Sequence, residues 1–268
     1  GLSPIDTAMN VALPEFDGRI ISVPISFKEL EDVVDESHDS GFVAKIQKYV
    51  PEPSRIEFVS GLAINWANLN RKSNTDRKVV IVMSNYPTKD ARIGNAVGLD
   101  TPASVVNLLN AMSDAGYQIS DIPADGDALV HSIIERCSND RDYLTEQQLQ
   151  LAAGHVDSRS YDSWFETFEN DVQSTLKEHW DTPPGSVYRT GDSLAIAGID
   201  LGNVFVGLQP PRGFGENPIS IYHSPDLPPT HHYVAYYRWI KETYKADAII
   251  HVGKHGTLEW LPGKGVGM

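Results

Sequence analysis

Alternating strand and helix patterns after residue 77 predict an α/β fold. Residues 78–84 form a β-branched apolar run, which is typical of a strand buried on both faces. Residues 101–116 then place apolar side chains at helical spacing, and further strand-like and helix-like segments follow to residue 252. Because such alternation favours parallel strands, we predict a mostly parallel, Rossmann-like sheet flanked by helices, together with a smaller N-terminal α/β portion.

The polar run of residues 70–78 is the predicted linker between two parts of the chain. It places the N-terminal α/β portion at residues 1–76 and the Rossmann-like domain at residues 77–268. The elements predicted in the first part are a short strand at 18–24, an acidic solvated loop at 29–40 and a helix with one buried face at 54–69.

The second part is predicted to contain several strands and helices in alternation. The strands are predicted at 78–84, 117–122, 193–199, 203–208 and 246–252, and the helices at 101–116, 127–137, 161–180 and 232–244. The helix from residue 101 begins with Thr101 as the predicted N-cap and Pro102 at the first helical position, where the missing N–H of proline loses no hydrogen bond.

Composition narrows the classes of function. The 268 residues carry 36 acidic against 22 basic side chains, a formal net charge of −14 that repels phosphate backbones and argues against nucleic acid as a partner. The apolar run 79–83 is far shorter than the roughly 20 residues of a membrane span, and no signal-peptide pattern is present. The single cysteine, Cys137, excludes an internal disulfide and a thiolate zinc cluster, so we expect a reducing cytoplasm and no membrane partner.

Several familiar catalytic motifs are absent from the sequence. Lys254 and Lys264 each follow a glycine, but Ala248 and Leu258 stand where a phosphate-binding P-loop needs its first glycine. The sequence also lacks a dinucleotide-binding glycine motif, the H-E-x-x-H zinc motif and the G-x-S-x-G nucleophile elbow. We therefore predict no nucleotide site in this chain.

Three polar segments each follow a predicted strand. They comprise residues 85–101, residues 209–215 with 222–229, and residues 251–264. Ligands of open α/β sheets bind beyond the carboxyl ends of the strands, so we expect these segments to meet at one edge of the sheet.

The last segment combines His251, Lys254, His255 and Glu259, a set that can bind a metal or exchange protons. The alternative is a structural histidine at 251 and a surface ion pair between Lys254 and Glu259. Arg212 follows two prolines and could bind a carboxylate, or it could form a structural salt bridge.

These segments resemble the signatures of the CobN/magnesium-chelatase large-subunit family, and its cobalt branch in particular. The resemblance rests on residues 92–94, 98–104, 209–215, 222–229 and 251–264, in that order along the chain. It extends over the whole sequence, and the last motif is the most specific. Because family members are several times longer than 268 residues, we expect the chain to be an internal piece.

The resemblance implies a cobaltochelatase, a ligase that inserts Co²⁺ into the corrin ring of hydrogenobyrinic acid a,c-diamide during cobalamin biosynthesis. ATP and Mg²⁺ would be used by an AAA+ ATPase subunit and its companion chelatase subunit, in agreement with the missing P-loop, and this piece alone would be inactive. The alternatives are a magnesium-chelatase-type subunit acting on protoporphyrin and a non-catalytic tetrapyrrole-binding homologue.

The resemblance also suggests site residues. We expect Glu259, His255 and His251 to be catalytic, and His255, Glu259 and His223 to hold the metal. The residues expected to contact the substrate are Arg212, Lys254, Tyr222 and Arg92. Ring nitrogens must lose protons when a divalent metal enters, so the same carboxylate and imidazoles could hold the ion or act as bases.

Overall fold

The computed structural model describes residues 3–34, 43–214, 221, 224–254, 258 and 261–262. The chain divides into two compact units, Gly1–Arg71 and Lys72–Met268. The predicted division into folding domains at residue 76 stays a prediction. Of the helices in the described ranges, none is long and apolar enough to cross a membrane.

The first unit consists of short helical segments, a hairpin and a long helix. The helical segments are α1 (Pro4–Thr7), a π-helical turn (Ala8–Ala12) and α2 (Leu13–Phe16), followed by strands β1 (Ser26–Val34) and β2 (Val43–Pro51) and helix α3 (Pro53–Arg71). The helix predicted at 54–69 is confirmed, but its predicted buried face is wrong, because no described residue of this unit is buried and Trp66 is 53% exposed.

The hairpin corrects two predictions for the first unit. Residues 18–24 do not form a strand, and the acidic residues 29–34 lie in β1 instead of a loop; residues 35–40 lie outside the described ranges. Acidic side chains are tolerated in β1 because the antiparallel register places Glu29 opposite Lys48 and Asp32 opposite Lys45. Opposite charges in cross-strand positions stabilise a sheet.

The second unit contains helices, short helical turns and seven strands in its described ranges. The helical segments are a 3₁₀ turn (Asn74–Asp76), a second one (Asp90–Arg92), α4 (Thr101–Asp114), α5 (Gly126–Arg136), α6 (Glu146–Gln150), α7 (Ser158–Phe165), α8 (Asn170–Trp180) and α9 (His231–Arg238), which a π-helical segment (Trp239–Tyr244) extends. The strands are β3 (Val79–Met83), β4 (Gly154–Asp157), β5 (Arg189–Thr190), β6 (Ser193–Ile196), β7 (Gly198–Asp200), β8 (Val204–Leu208) and β9 (Ala248–Val252).

The central sheet has the order β7-β8-β3-β9. Strand β3 pairs in parallel with β8 and β9, whereas β7 pairs antiparallel with β8, and a separate sheet of order β4-β6-β5 is antiparallel. The predicted α/β class is confirmed, but a mostly parallel Rossmann-like arrangement is not. Residues 201–203 are too few for the crossover that parallel strands need, so β7 and β8 form a hairpin.

Strand β3 lies at the centre of this unit. All five of its residues are buried. Val79, Ile81 and Met83 pack in the apolar cluster that includes residues of α4 and α5. Val80 and Val82 pack in the cluster that includes residues of α7, α8 and α9. Alternate side chains of the strand therefore face two helical layers, which explains its continuous apolar run.

Several predicted elements differ in detail. Residues 117–122 form no strand but only an isolated bridge between Ile119 and Gly202. The helix predicted at 161–180 is divided into α7 and α8 by a turn in which the Thr167 hydroxyl donates to the Trp164 carbonyl at 2.7 Å. Helix α4 is capped by Asp100, whose side chain accepts from the Ala103 N–H at 3.1 Å, so the predicted N-cap Thr101 is instead the first helical residue.

Candidate functional site

Three strands of the central sheet end at the same edge. Strands β3, β8 and β9 end at Met83, Leu208 and Val252, respectively. The parallel registers place Met83 opposite both of the other two residues. The polar segments that follow these strands therefore begin side by side. Their expected convergence is confirmed for the described residues.

Backbone hydrogen bonds join these strand ends. The Gln209 N–H donates to the Met83 carbonyl at 3.0 Å, and the Ser84 N–H donates to the Val252 carbonyl at 3.3 Å. Gly253, at φ +133°, lies so close to Ser84 that an added Cβ would overlap the serine hydroxyl. Glycine is required here both by the backbone conformation and by the close approach of the two segments.

Lys254 and Arg92 form a basic patch at this edge. The Lys254 ammonium donates to the Tyr86 carbonyl at 2.7 Å and lies 4.4 Å from the centre of the Tyr86 ring. Desolvation, together with the nearby Arg92 cation, lowers the pKa of Lys254. No carboxylate among the described residues lies within 4.0 Å of either cation, so no described acidic side chain neutralises this patch.

His251 lies on the edge strand β9 and is exposed. Its ring stacks on Tyr237 of α9, with 6.1 Å between the ring centres and 14° between the planes. The Tyr237 hydroxyl accepts a hydrogen bond from the Gln209 side-chain amide at 2.9 Å. Partial desolvation lowers the pKa of His251, which favours the unprotonated imidazole, the form that can accept a proton or bind a metal.

Arg212 is fully buried. Its guanidinium donates to the Leu227 carbonyl at 2.8 Å and to the Ser224 carbonyl, and burial lowers its pKa. These contacts fix the segment before α9. They fit the structural alternative more closely than the expected contact with a substrate, although the described partners are carbonyls instead of a carboxylate. The expected substrate contact stays a prediction.

Four of the expected site residues lie outside the described ranges: Glu259, His255, Tyr222 and His223. Their predicted roles stay predictions. In the described part of the chain, no group of three or more His, Cys, Asp or Glu side chains is arranged to hold a metal ion.

A fourth polar segment at this edge was not predicted. Residues 138–140 follow α5 and are buried. The Asn139 side-chain amide donates to the Gln209 carbonyl at 3.1 Å. The Asp140 carboxylate accepts from the Lys89 ammonium at 3.3 Å and from the Asp90 N–H at 3.1 Å. The sequence signal available was a polar triplet directly after an amphipathic helix. Tyr237 was also missed, because its contacts with Gln209 and His251 depend on tertiary packing.

Asn85, the second residue after β3, is a further buried polar residue at this edge. It is 2% exposed, and within the described structure neither its amide nitrogen nor its amide oxygen has a hydrogen-bond partner. Buried amides are normally paired, so this side chain retains unused hydrogen-bonding capacity next to the basic patch.

Comparisons with known proteins agree over the whole chain. The family described as CobN/Magnesium Chelatase matches residues 1–268. The chain is 42% identical to the aerobic cobaltochelatase subunit CobN of Pseudomonas aeruginosa, covering 100% of this chain and 21% of that protein. It is 32% identical to the chloroplastic magnesium-chelatase subunit ChlH of Oryza sativa subsp. indica, covering 100% of this chain and 18% of that protein.

A solved structure supports the same relationship. The catalytic subunit of cobaltochelatase from Mycobacterium tuberculosis superimposes with a TM-score of 0.79 and 44% identity, over 100% of this chain and 22% of that one. The chain therefore spans about a fifth of the length of these relatives. A match over every residue, together with a shared fold at this level of identity, shows that the chain belongs to the CobN/magnesium chelatase family.

Proposed function

We propose that the chain is part of the large, tetrapyrrole-binding subunit of an ATP-dependent cobaltochelatase, which inserts Co²⁺ into hydrogenobyrinic acid a,c-diamide in cobalamin biosynthesis. The observation that carries this proposal is the basic patch of Lys254 and Arg92 at the edge where three parallel strands end, one of which, β9, carries His251. The identity of 42% to 44% with two proteins named as cobaltochelatase subunits supports the cobalt branch.

The charge of the substrate explains why the basic patch matters. A corrin with free carboxylates is repelled by a protein of net charge −14, unless cations are available at the binding edge. Lys254 and Arg92 have no described acidic partner, so they can bind substrate carboxylates without breaking an ion pair among the described residues. Arg212 and Tyr222 are proposed to assist, Arg212 chiefly by holding the segment that contains Ser224 and Leu227.

Metal insertion requires a base and a temporary metal ligand. Two ring nitrogens lose protons as a divalent ion enters, and the ion exchanges its waters for new ligands. We propose that Glu259 and His255 hold the cobalt or accept these protons, with His251 and His223 in support. The lowered pKa of His251 suits this role, because an imidazole must be unprotonated to accept a proton or bind a metal.

The energy source and the partners are proposed from the family. ATP and Mg²⁺ would be used by an AAA+ ATPase subunit and its companion chelatase subunit, since the sequence has no P-loop. The reaction would take place in the cytoplasm. Two relatives are named as subunits, which supports an enzyme of several chains.

A titration of the 268-residue chain tests the proposal. Hydrogenobyrinic acid a,c-diamide and protoporphyrin would be titrated separately, followed by absorbance and tryptophan fluorescence. We expect saturable binding that favours the corrinoid, and binding about fivefold weaker in Lys254→Ala and in Arg92→Ala, as expected for a partly exposed ion pair. Lys241→Ala, which removes an exposed cation that carries no role here, is the matched control.

The outcomes separate the candidate functions. Preference for protoporphyrin would favour the magnesium-chelatase alternative, to which the 32% identity with the rice subunit already points. Corrinoid binding that is insensitive to both substitutions would contradict the assigned edge. In the full-length enzyme, normal turnover by Glu259→Gln and His255→Ala would favour a non-catalytic role for the last motif.

A further inference from the structure

A cavity of about 430 Å³ in the second unit is lined by residues to which the proposed function gives no role, among them Leu261 and Pro262 of the last polar segment. Helix α8 contributes Val172 and Leu176 to its wall, the segment before α9 contributes Pro228 and Pro229, and Asp171 and Asp226 add two carboxylates. This volume lies within the range of about 300–1,000 Å³ typical of ligand sites. The size and the apolar wall are sufficient to admit a large side chain.

The polar groups of the cavity favour a cationic guest. Of its described lining side chains, Thr175 alone is a hydrogen-bond donor, and its hydroxyl already donates to the Asp171 carbonyl at 2.8 Å. The two prolines have no N–H, and the Pro228 carbonyl accepts from the Trp180 indole at 3.0 Å. The carboxylates of Asp171 and Asp226 therefore remain as the principal polar side chains available to a guest.

Among the described residues, these two carboxylates have no compensating charge. No described Lys, Arg or His lies within 4.0 Å of either one. Asp171 and Thr175, like Val172 and Leu176, lie four positions apart and therefore along one side of α8. The acids and the apolar wall thus form one continuous surface along the helix, where a cation would meet negative charge and an adjacent apolar group would be shielded from water.

We propose that this cavity is the docking site for a basic segment of a partner chelatase subunit. The segment inserts an aliphatic or aromatic side chain between α8 and the Pro228–Pro229 wall, and a neighbouring Lys or Arg contacts Asp171 and Asp226. Charge complementarity and the subunit names of the relatives support a protein as the guest. The identity of the partner rests on the proposed function, whereas the chemistry of the cavity does not.

The test uses the 268-residue chain and a fluorescein-labelled, 12-residue peptide with leucine on one helical face and lysine on the other. Fluorescence anisotropy would measure its binding beside two matched peptides, one with glutamate for every lysine and one with serine for every leucine. We expect saturable binding of the leucine–lysine peptide only. Because a chain of charge −14 attracts any cation, the serine peptide measures that nonspecific contribution.

Paired variants locate the site. Asp171→Asn with Asp226→Asn is expected to weaken binding about tenfold, as expected for the loss of two accessible ion pairs. Glu166→Gln with Glu178→Gln removes the same charge from exposed positions outside the cavity and should leave binding unchanged. Asparagine at 171 retains the oxygen that accepts from the Val172 N–H at 2.9 Å, so the start of α8 should be preserved, which circular dichroism would verify.

Three results would overturn the inference: equal binding of the serine peptide, equal weakening by the two double variants, or displacement of the peptide by octylamine at equal concentration. The last result would identify a small amine as the guest instead of a protein segment. A chain that binds the peptide but no tetrapyrrole would contradict the proposed function alone. A chain that binds the corrinoid but not the peptide would contradict this inference alone.

Discussion

Two adjacent histidines at the start of α9 are buried in neutral form. The His232 ring accepts no described hydrogen bond at Nδ1, and its Nε2 lies 2.7 Å from the Ala195 carbonyl, which requires Nε2 to carry the proton. His231 accepts from the Tyr161 hydroxyl at 2.8 Å and lies 3.0 Å from the Asp181 carbonyl. Burial lowers the pKa of both residues, that of His232 to about 4.

The low pKa of His232 predicts acid sensitivity. The unfolded chain binds the proton with a pKa of 6.5, so stability is complete above about pH 6.5 and is lost as the pH falls toward the folded pKa of about 4. The loss from this residue at pH 4 should be about 3 kcal/mol. Urea unfolding between pH 4 and 7 should show a weaker pH dependence in His232→Gln than in the unsubstituted chain.

His179→Gln provides the control for this experiment. His179 lies on the exposed side of α8, so its replacement measures the effect of exchanging a histidine for a glutamine away from the buried pair. An unaltered slope in His232→Gln would show that this imidazole is not the buried group whose protonation unfolds the domain.

At the scale of elements, the cap of α4 gives a second prediction. Asp100→Ala should lower the free energy of unfolding by about 1 kcal/mol, because its carboxylate accepts from the Ala103 N–H. Thr101→Val should be near neutral or stabilising, because the Thr101 hydroxyl is buried without a hydrogen-bond partner among the described residues. Urea unfolding of both variants would assign the cap, and a larger loss in Thr101→Val would contradict the structure.

Elements with strong local signals were predictable. The continuous apolar run of β3 and the helical periodicity of α4 and α5 specify their elements directly, and the helix from His231 was predicted within one residue of its start. Pairing was harder to predict. The hairpin of β7 and β8 reverses the chain through residues 201–203, and the charges of β1 become acceptable only opposite the lysines of β2. The β7–β8 pairing depends on the conformation of a turn, and the β1–β2 pairing depends on residues that are distant in sequence.

The candidate site was predictable in position more than in its contacts. Polar segments after apolar strands indicated the shared edge, because parallel strands bring their carboxyl ends together. The sequence could not show that Arg212 is buried against backbone carbonyls, or that Tyr237 stacks on His251. These contacts arise from packing between α9, the preceding segment and the sheet, which no local pattern encodes.

At the scale of the whole chain, burial predicts unequal protection from hydrogen exchange. No described residue of the first unit is buried, whereas every residue of β3 is 3% exposed or less. Amides in regions with little buried apolar surface exchange through low-energy local opening. Hydrogen-exchange mass spectrometry should therefore show rapid exchange in α3 and the slowest exchange in β3.

The comparison within the same sample is the control, because both segments experience the same pH and temperature. Equal protection of α3 and β3 would mean that the apolar side chains of α3, including Trp66, are covered in solution. Binding of the corrinoid should increase protection at residues 84–94 more than in α3 if the assigned edge binds the ring.

The close approach of Gly253 to Ser84 limits how this region can change by mutation. Any missense change at codon 253 adds at least one carbon, which meets the serine hydroxyl at a backbone conformation that side chains rarely adopt. A compensating second change at codon 84 could remove the overlap but not the unfavourable φ. Only synonymous changes at codon 253 are therefore expected to be silent, and a library of random variants selected for folding should retain glycine there.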